Sequence, residues 1–242
     1  MKIICISDIH QKLQIDDEEK EKLKKLYSFL DKIKSWNLDK LIIAGDLFDV
    51  WYEYKMVIPK PYFTTLTKLK SISEKGIKII YLAGNHDFKF RDFLQNEIQI
   101  EVYLNDYEFN IGNRKFFISH GDDYTSNDAR YHFFKTILRN KFVNHIFGIV
   151  HPDLGLKFGK WMSRSSRKKE LPQKKKTKLE KGLVSFSKIK FSQGFEYVIM
   201  GHIHQPRILT FDNSKYINLG DWIYHYSYLE IEDEKVELKY WK

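Results

Sequence analysis

With 242 residues, 43% of them hydrophobic and 30% charged, the chain is long enough for one domain with a substantial core and too apolar to stay disordered. Its single cysteine, Cys5, excludes an intrachain disulfide and is expected as a small buried thiol within Ile3-Ile4-Cys5-Ile6. No run approaches the roughly 20 apolar residues of a membrane-spanning helix, and the first residues are too short an apolar run for a secretory signal, so a cytoplasmic location is expected. The net charge of +9 is uneven. Between Arg130 and Lys178, fourteen Lys and Arg face two acids, Asp153 and Glu170, and the remainder is slightly acidic. Such a segment suits an anionic partner: a phosphorylated substrate, nucleic acid or an acidic membrane surface. Lys174-Lys175-Lys176 taken alone reads as a solvated face.

In chain order, Lys2 to Ser7 reads as a short buried strand ending at Asp8. Asp16 to Trp36 has helical apolar spacing (Leu23, Leu26, Phe29, Leu30, Ile33) with acids at its front. Lys40 to Ala44 is a second strand, ending in Gly45-Asp46; Pro61 to Ser73 is a second helix; Ile77 to Leu82 is a third strand, ending in Gly84-Asn85-His86-Asp87. Strand–helix alternation predicts parallel pairing and an α/β layered fold, in which functional groups gather beyond the carboxyl ends of strands. The later chain is richer in β structure. Lys115 to Ile118 leads into His120-Gly121-Asp122, and Tyr197 to Met200 into Gly201-His202-Ile203-His204. Arg207–Phe211, Tyr216–Leu219, Ile223–Ile231 and Val236–Trp241 read as short strands. The chain is expected to be one domain over 1–242, with a helical, basic lid insertion over 126–192.

Five motifs carry the chemistry: Asp8-Ile9-His10, Gly45-Asp46-Leu47-Phe48-Asp49, Gly84-Asn85-His86-Asp87, His120-Gly121-Asp122 and Gly201-His202-Ile203-His204. Alternation in Asp8-X-His10 and His202-X-His204 would turn both side chains to one side of an extended segment. Five of the nine histidines fall in these motifs, beside acids and glycines. Taken singly, each is as readily a turn or a satisfied polar residue. Five in order, each ending a predicted strand, point to a metal centre, and a mixed N/O donor set suits Mn, Fe, Zn or Co rather than a thiolate site. His132, His145, His151 and His225 are read as packing or surface residues.

These residues resemble the calcineurin-like metallophosphoesterases, whose D-x-H, G-D-x-x-D, G-N-H-[DE], H-G and G-H-x-H pattern they reproduce between Asp8 and His204. The resemblance implies a β-sandwich flanked by helices and two divalent metal ions, Mn first among the candidates. It implies that Asp46 bridges the ions, that Asp8, His10 and His204 complete one site, and that Asn85, His120 and His202 complete the other. It makes His86 the candidate for assisting the leaving group, with Asp87 expected to fix the tautomer of His86. Asp49 and Asp122 are read as supporting residues.

The segment between the fourth and fifth motifs bears on substrate. Arg130 to Val150 has apolar residues at helical spacing (Phe134, Ile137, Leu138, Phe142, Ile146) among basic ones; His151-Pro152-Asp153-Leu154-Gly155 is expected to break that helix. Phe158, Trp161 and Met162 then precede Ser163-Arg164-Ser165-Ser166-Arg167. Apolar side chains beside a basic run suit an amphipathic lipid phosphate or an anionic membrane surface, with core packing as the alternative. Here the chain resembles a narrower branch, the UDP-2,3-diacylglucosamine diphosphatases of lipid A synthesis. The likeness rests on Gly84-Asn85-His86-Asp87-Phe88, Tyr131 after Asp128, His151 to Gly155, Trp161-Met162-Ser163-Arg164 and Asn218-Leu219-Gly220-Asp221-Trp222. It implies a lipid-linked nucleotide-sugar substrate and peripheral attachment to the inner face of the cytoplasmic membrane. Asn85 and Asp128 would contact substrate, the latter at the glucosamine; Arg164 and Arg167 would contact phosphates. Many members of that branch carry arginine where this chain has His86. Two other readings stand beside it: a phosphodiesterase for nucleotides or nucleic acid, and a non-catalytic scaffold, which the complete ligand set disfavours.

Overall fold

A computed structural model describes residues 1–125, 147–167, 173–233 and 235–242, with side chains described except at 160–167 and 173–176. Two sheets lie face to face. The first has six strands, with β1 (Lys2–Ile6), β2 (Lys40–Ile43), β4 (Lys78–Leu82) and β6 (Ile100–Tyr103) parallel in that order, and β12 (Ser227–Glu232) and β13 (Lys235–Tyr240) antiparallel beyond β1. The second has five strands in the order β10 (Arg207–Phe211), β11 (Ser214–Asn218), β9 (Tyr197–Met200), β8 (Arg114–Ser119), β7 (Tyr107–Ile111). A two-strand ladder pairs β3 (Trp51–Tyr52) with β5 (Asp87–Lys89).

Alternation along the strands fills the layers. Ile3, Cys5, Ile42, Ala44, Ile80 and Leu82 face the second sheet, meeting Phe116, Ile118, Tyr197, Ile199 and Ile217. Their neighbours Ile4, Ile6, Leu41, Ile43, Ile79 and Tyr81 face the helices α1 (Asp17–Lys34) and α2 (Phe63–Ser73). Cys5 is fully buried in the inter-sheet layer, as expected. Asp16 caps α1 by accepting the Glu19 N–H at 2.9 Å. Leu23, Leu26, Phe29, Leu30 and Ile33 form the buried stripe of α1. Phe29 packs 4.7 Å from Trp222 between ring centroids, tying α1 to the loop after β11. Removing a buried ring of this kind costs roughly 3–5 kcal/mol.

The structure departs from the sequence expectations in several places. Strand β12 begins at Ser227 and not at Ile223, because Asp221 Oδ1 accepts the N–H groups of Ile223, Tyr224 and His225 and closes a turn there. Pro152 opens a helix, α4 (Pro152–Arg167), so the His151–Gly155 stretch starts a helix as well as ending one. Gly155 and Gly159 lie inside α4, where an added Cβ would strike Tyr54 and Val50 respectively; the glycines let the helix lie directly on residues 50–54. Helix α5 (Gln173–Ser192) falls within the expected lid, yet Leu179 and Leu183 pack against Phe117, Val198, Met200 and Tyr216 on the outside of the second sheet. That helix is the fourth layer of the fold. The expected helix from Arg130, and Asp128 with it, lies outside the described residues as far as Ile146; residues 147–149 are helical. No helix among the described residues is long and apolar enough to cross a membrane.

Candidate metal centre

All five motifs follow the carboxyl ends of strands. Asp8 and His10 follow β1, Asp46 follows β2, and Asn85 and His86 follow β4 of the first sheet; His120 follows β8, and His202 and His204 follow β9 of the second. Because the two sheets stack, these ends meet, and side chains up to 194 residues apart come within hydrogen-bond distance, as His10 and His204 do at 3.3 Å between Nε2 atoms. Asp8, His10, Asp46, His202 and His204 hold φ between 46° and 69°, the left-handed region that residues with a Cβ avoid. Strain of about 1–3 kcal/mol per residue is kept only where the surroundings over-determine it.

The two carboxylates divide their oxygens in the same way. Asp46 Oδ1 accepts the His86 N–H at 2.9 Å, while Oδ2 faces three imidazoles: His120 Nε2 at 3.4 Å, His10 Nε2 at 3.6 Å and His86 Nε2 at 4.0 Å. Asp8 Oδ2 accepts the His202 N–H at 2.9 Å, while Oδ1 faces His204 Nε2 at 3.1 Å and His10 Nε2 at 3.6 Å. Gly84 is required beside this arrangement, since any Cβ there would run into the Asp46 carboxylate.

Two tautomers follow from what each ring touches. His120 Nδ1 lies 2.8 Å from the Ala44 carbonyl and His86 Nδ1 lies 2.7 Å from the Asp49 carbonyl. A carbonyl only accepts, so both Nδ1 atoms carry a proton, and both Nε2 atoms, which face Asp46, are left for a second proton or a metal ion. Asn85 Oδ1 lies 3.1 Å from His120 Nε2, adding a third acceptor to the same space. With carboxylates, an amide oxygen and imidazole nitrogens crowded into one buried site, positive charge is required there, from protonated imidazole or from a metal ion. Asp8 Oδ1, buried with only the His204 and His10 rings beside it, makes the same demand.

Titration behaviour reflects it. Burial alone would lower His120, but the Asp46 and Asp8 carboxylates raise it well above the ordinary imidazole value. His204 is likewise raised by Asp8 against the effect of burial. Burial opposes ionisation of Asp8 and Asp46, yet the surrounding histidines hold both below the usual carboxylate range. His10 and His202 are pushed down to about 4, chiefly by burial, and so present neutral lone pairs. Three groups of donors converge within 4.8 Å: Asp8, His10 and His204; His10, Asp46 and His86; Asp8, Asp46 and His120. His202 adjoins them, its ring centroid 5.2 Å from that of His120.

Asp87 does not touch the His86 ring in the way expected. Its Oδ2 accepts the N–H groups of Asp46 at 3.1 Å and Gly84 at 2.8 Å, and its Oδ1 accepts the Tyr81 hydroxyl at 2.8 Å. The Asp49 carbonyl is what orients His86. Asp87 instead ties the Asp46 loop to the Gly84 loop; burial and the charge of Asp46 raise it to about 6. Asp49, read from sequence as a supporting residue, earns that description through its main chain, and its carboxylate also lies 3.7 Å from His10 Nδ1. Tyr81 was legible only as a core residue. Arg164 and Arg167 lie on α4 with undescribed side chains, and Asp128 lies outside the described residues. His225 is half-exposed with Nδ1 2.6 Å from Asp221, a surface role as expected.

A layered sandwich that brings seven N and O donors to one pole defines a metal-dependent phosphoesterase. The chain belongs to the calcineurin-like phosphoesterases, whose family model matches residues 1–206. It is 28% identical over 247 residues to the UDP-2,3-diacylglucosamine hydrolase of Porphyromonas gingivalis, covering 94% of this chain and 92% of that protein. It is 23% identical to the protein of that name from Psychromonas ingrahamii, covering 98% and 96%. Among solved structures, an archaeal phosphodiesterase shares the fold at a TM-score of 0.50 and 18% identity, covering 99% of this chain and 98% of its own. Members of the family use divalent metals, and the donor set here fits them.

Proposed function

We propose that this protein hydrolyses the pyrophosphate of UDP-2,3-diacylglucosamine, releasing UMP and 2,3-diacylglucosamine 1-phosphate. The observation that carries the reading is a juxtaposition: a buried cation-demanding cluster beside an apolar shelf. Strand β5 joins His86 to the ladder with Trp51 and Tyr52, and Tyr52 and Tyr54 stack toward Phe147 and α4. Along that helix Leu154 is 59% exposed and Phe158 45% exposed. Apolar side chains left in water next to a phosphoester site suit acyl chains, and the near full-length likeness to enzymes of that name supports the same substrate.

In this reading Asp8, His10 and His204 would hold one divalent ion and Asn85, His120 and His202 a second, with Asp46 serving both; Mn²⁺ is the ion we favour. Such ions supply charge that offsets the phosphoryl oxygens and make water nucleophilic at neutral pH. Asp46 turns one oxygen to the cluster because the His86 N–H occupies the other. His86, anchored on the Asp49 carbonyl through Nδ1–H, turns Nε2 to the site, and once protonated there it donates to the departing phosphate. Water's oxygen bonds to one phosphorus as that phosphorus loses its bond to the bridging oxygen; the bridging oxygen leaves with the bonding pair on the second phosphate, and the proton lost by water passes to solvent. Asp128, Arg164 and Arg167 are retained as substrate contacts. The basic, apolar segment is read as meeting the anionic face of a bilayer.

The test is incubation of the full chain with UDP-2,3-diacylglucosamine and Mn²⁺, with UMP quantified by chromatography. UMP release that EDTA abolishes and Mn²⁺ restores is expected. Cleavage of a generic phosphodiester without UMP release would overturn the substrate; no hydrolysis of either would revive the scaffold.

A further inference from the structure

We infer that Glu19 and Lys22, two charged residues buried in α1, are positioning residues that fix the Asp8–His10 loop and so set the affinity of the metal site it serves. The inference rests on the metal-site reading above. Helix α1 otherwise buries an apolar stripe, yet Glu19 is 0% and Lys22 5% exposed. Their carboxylate and ammonium stand 2.9 Å apart. Taking both ions out of water is costly, and apolar residues of the same volume often serve stability as well or better. Stability is therefore a poor account of the pair.

What the pair holds is the ligand loop. Lys22 Nζ donates to two successive carbonyls, Ile9 at 2.9 Å and His10 at 2.8 Å. Glu19 Oε1 accepts the N–H of Lys12 at 2.9 Å. The loop is thus gripped from the helix side between Ile9 and Lys12. From the opposite side, His10 N–H donates to the Asp46 carbonyl at 2.9 Å and Gln11 N–H to the Leu47 carbonyl at 3.0 Å. The reason for this double hold lies in the backbone. Asp8 and His10 sit at φ 54° and 46°, a conformation that neither residue prefers. It turns the Ile9 and His10 carbonyls onto a single point, where strand pairing supplies no donor and a buried carbonyl without one is penalised. A lysine ammonium has three donors and fills that point. Without it the loop relaxes toward extended backbone, and Asp8 Oδ1 and His10 Nε2 leave the geometry in which they stand 3.6 Å apart.

The experiment measures Mn²⁺ binding to the full chain by calorimetry and by the electron paramagnetic resonance of free and bound Mn²⁺. The variants are Lys22→Met, Lys22→Arg and the double variant Glu19→Leu/Lys22→Met, whose uncharged side chains keep the packing. Wild type is expected to take up two equivalents. The double variant is expected to melt close to wild type, to bind one equivalent as wild type does, and to bind the other roughly 10–100-fold more weakly, the usual scale for losing a residue that orients a ligand. Lys22→Arg, which keeps donors for both carbonyls, should lie nearer wild type than Lys22→Met; the reverse order counts against the inference. Equal affinity and stoichiometry in the double variant would overturn it. So would failure of the double variant to fold, since the pair would then be holding the helix and not the loop. A wild-type chain that binds no Mn²⁺ sinks the metal-site reading first.

Discussion

Asp8, Asp46 and His120 are at most 2% exposed, and each is held by main-chain hydrogen bonds from a different strand end; Ile149, Leu154 and Phe158 are 45–74% exposed on and before a helix resting on a few aromatic rings. One region is over-determined and tolerates backbone strain for the sake of geometry. The other, among the described residues, leaves apolar surface in water. The contrast separates two tasks: charge placement needs rigid, dry surroundings, whereas gripping a chain of variable shape needs exposed, adaptable area.

Substitutions on either side of that divide test it. Asp46→Asn should lower hydrolysis of every phosphoester by about 10³-fold, the scale of losing a charge-placing group in a dry site. Measured kcat on both the lipid nucleotide and a small soluble diester should fall together; a loss confined to one substrate would blur the division. Phe158→Asp should act the other way, raising KM for the diacyl substrate about tenfold, from the roughly 1.5–3 kcal/mol of one buried apolar side chain, while a small soluble diester is cleaved as before. Asp16→Ala removes the cap of α1 and should cost about 1 kcal/mol in denaturant unfolding, with little change in kcat if the helix stays docked on its apolar stripe. The Asp16 carboxylate is held below its ordinary value by the Glu19 N–H and by Lys12. Its folded pKa is depressed, so its contribution is full above about 4 and is lost as pH falls through the folded value. The stability gap between wild type and Asp16→Ala should therefore close in acid.

Much of the metal centre was legible in the chain before any coordinates. Each motif is local, so a short continuous apolar run followed by a turn of glycine and polar residues announces a strand end and what it carries. Asp8, Asp46 and Asn85 could be assigned to one pole because parallel strands share a direction. The helices at Asp17–Lys34 and Phe63–Ser73 were equally clear, because their apolar spacing, and the Asp16 cap of the first, are local too. Edge strands β6 and β7 escaped notice although Ile100–Val102 and Tyr107–Ile111 alternate apolar and polar residues; each is short and lies outside the motifs.

Only the tertiary structure decided which atoms face one another. That Asp49 holds His86 through a carbonyl, that Asp87 turns to Tyr81 and away from the imidazole, and that α5 is a structural layer depend on packing between elements distant in sequence. So does the partnership of Lys22 with the Ile9 and His10 carbonyls, in a helix whose sequence announces only an amphipathic surface. Residue types and spacing specify what chemistry a chain carries. Tautomer, orientation and support arise from contacts across the fold, which local pattern does not encode.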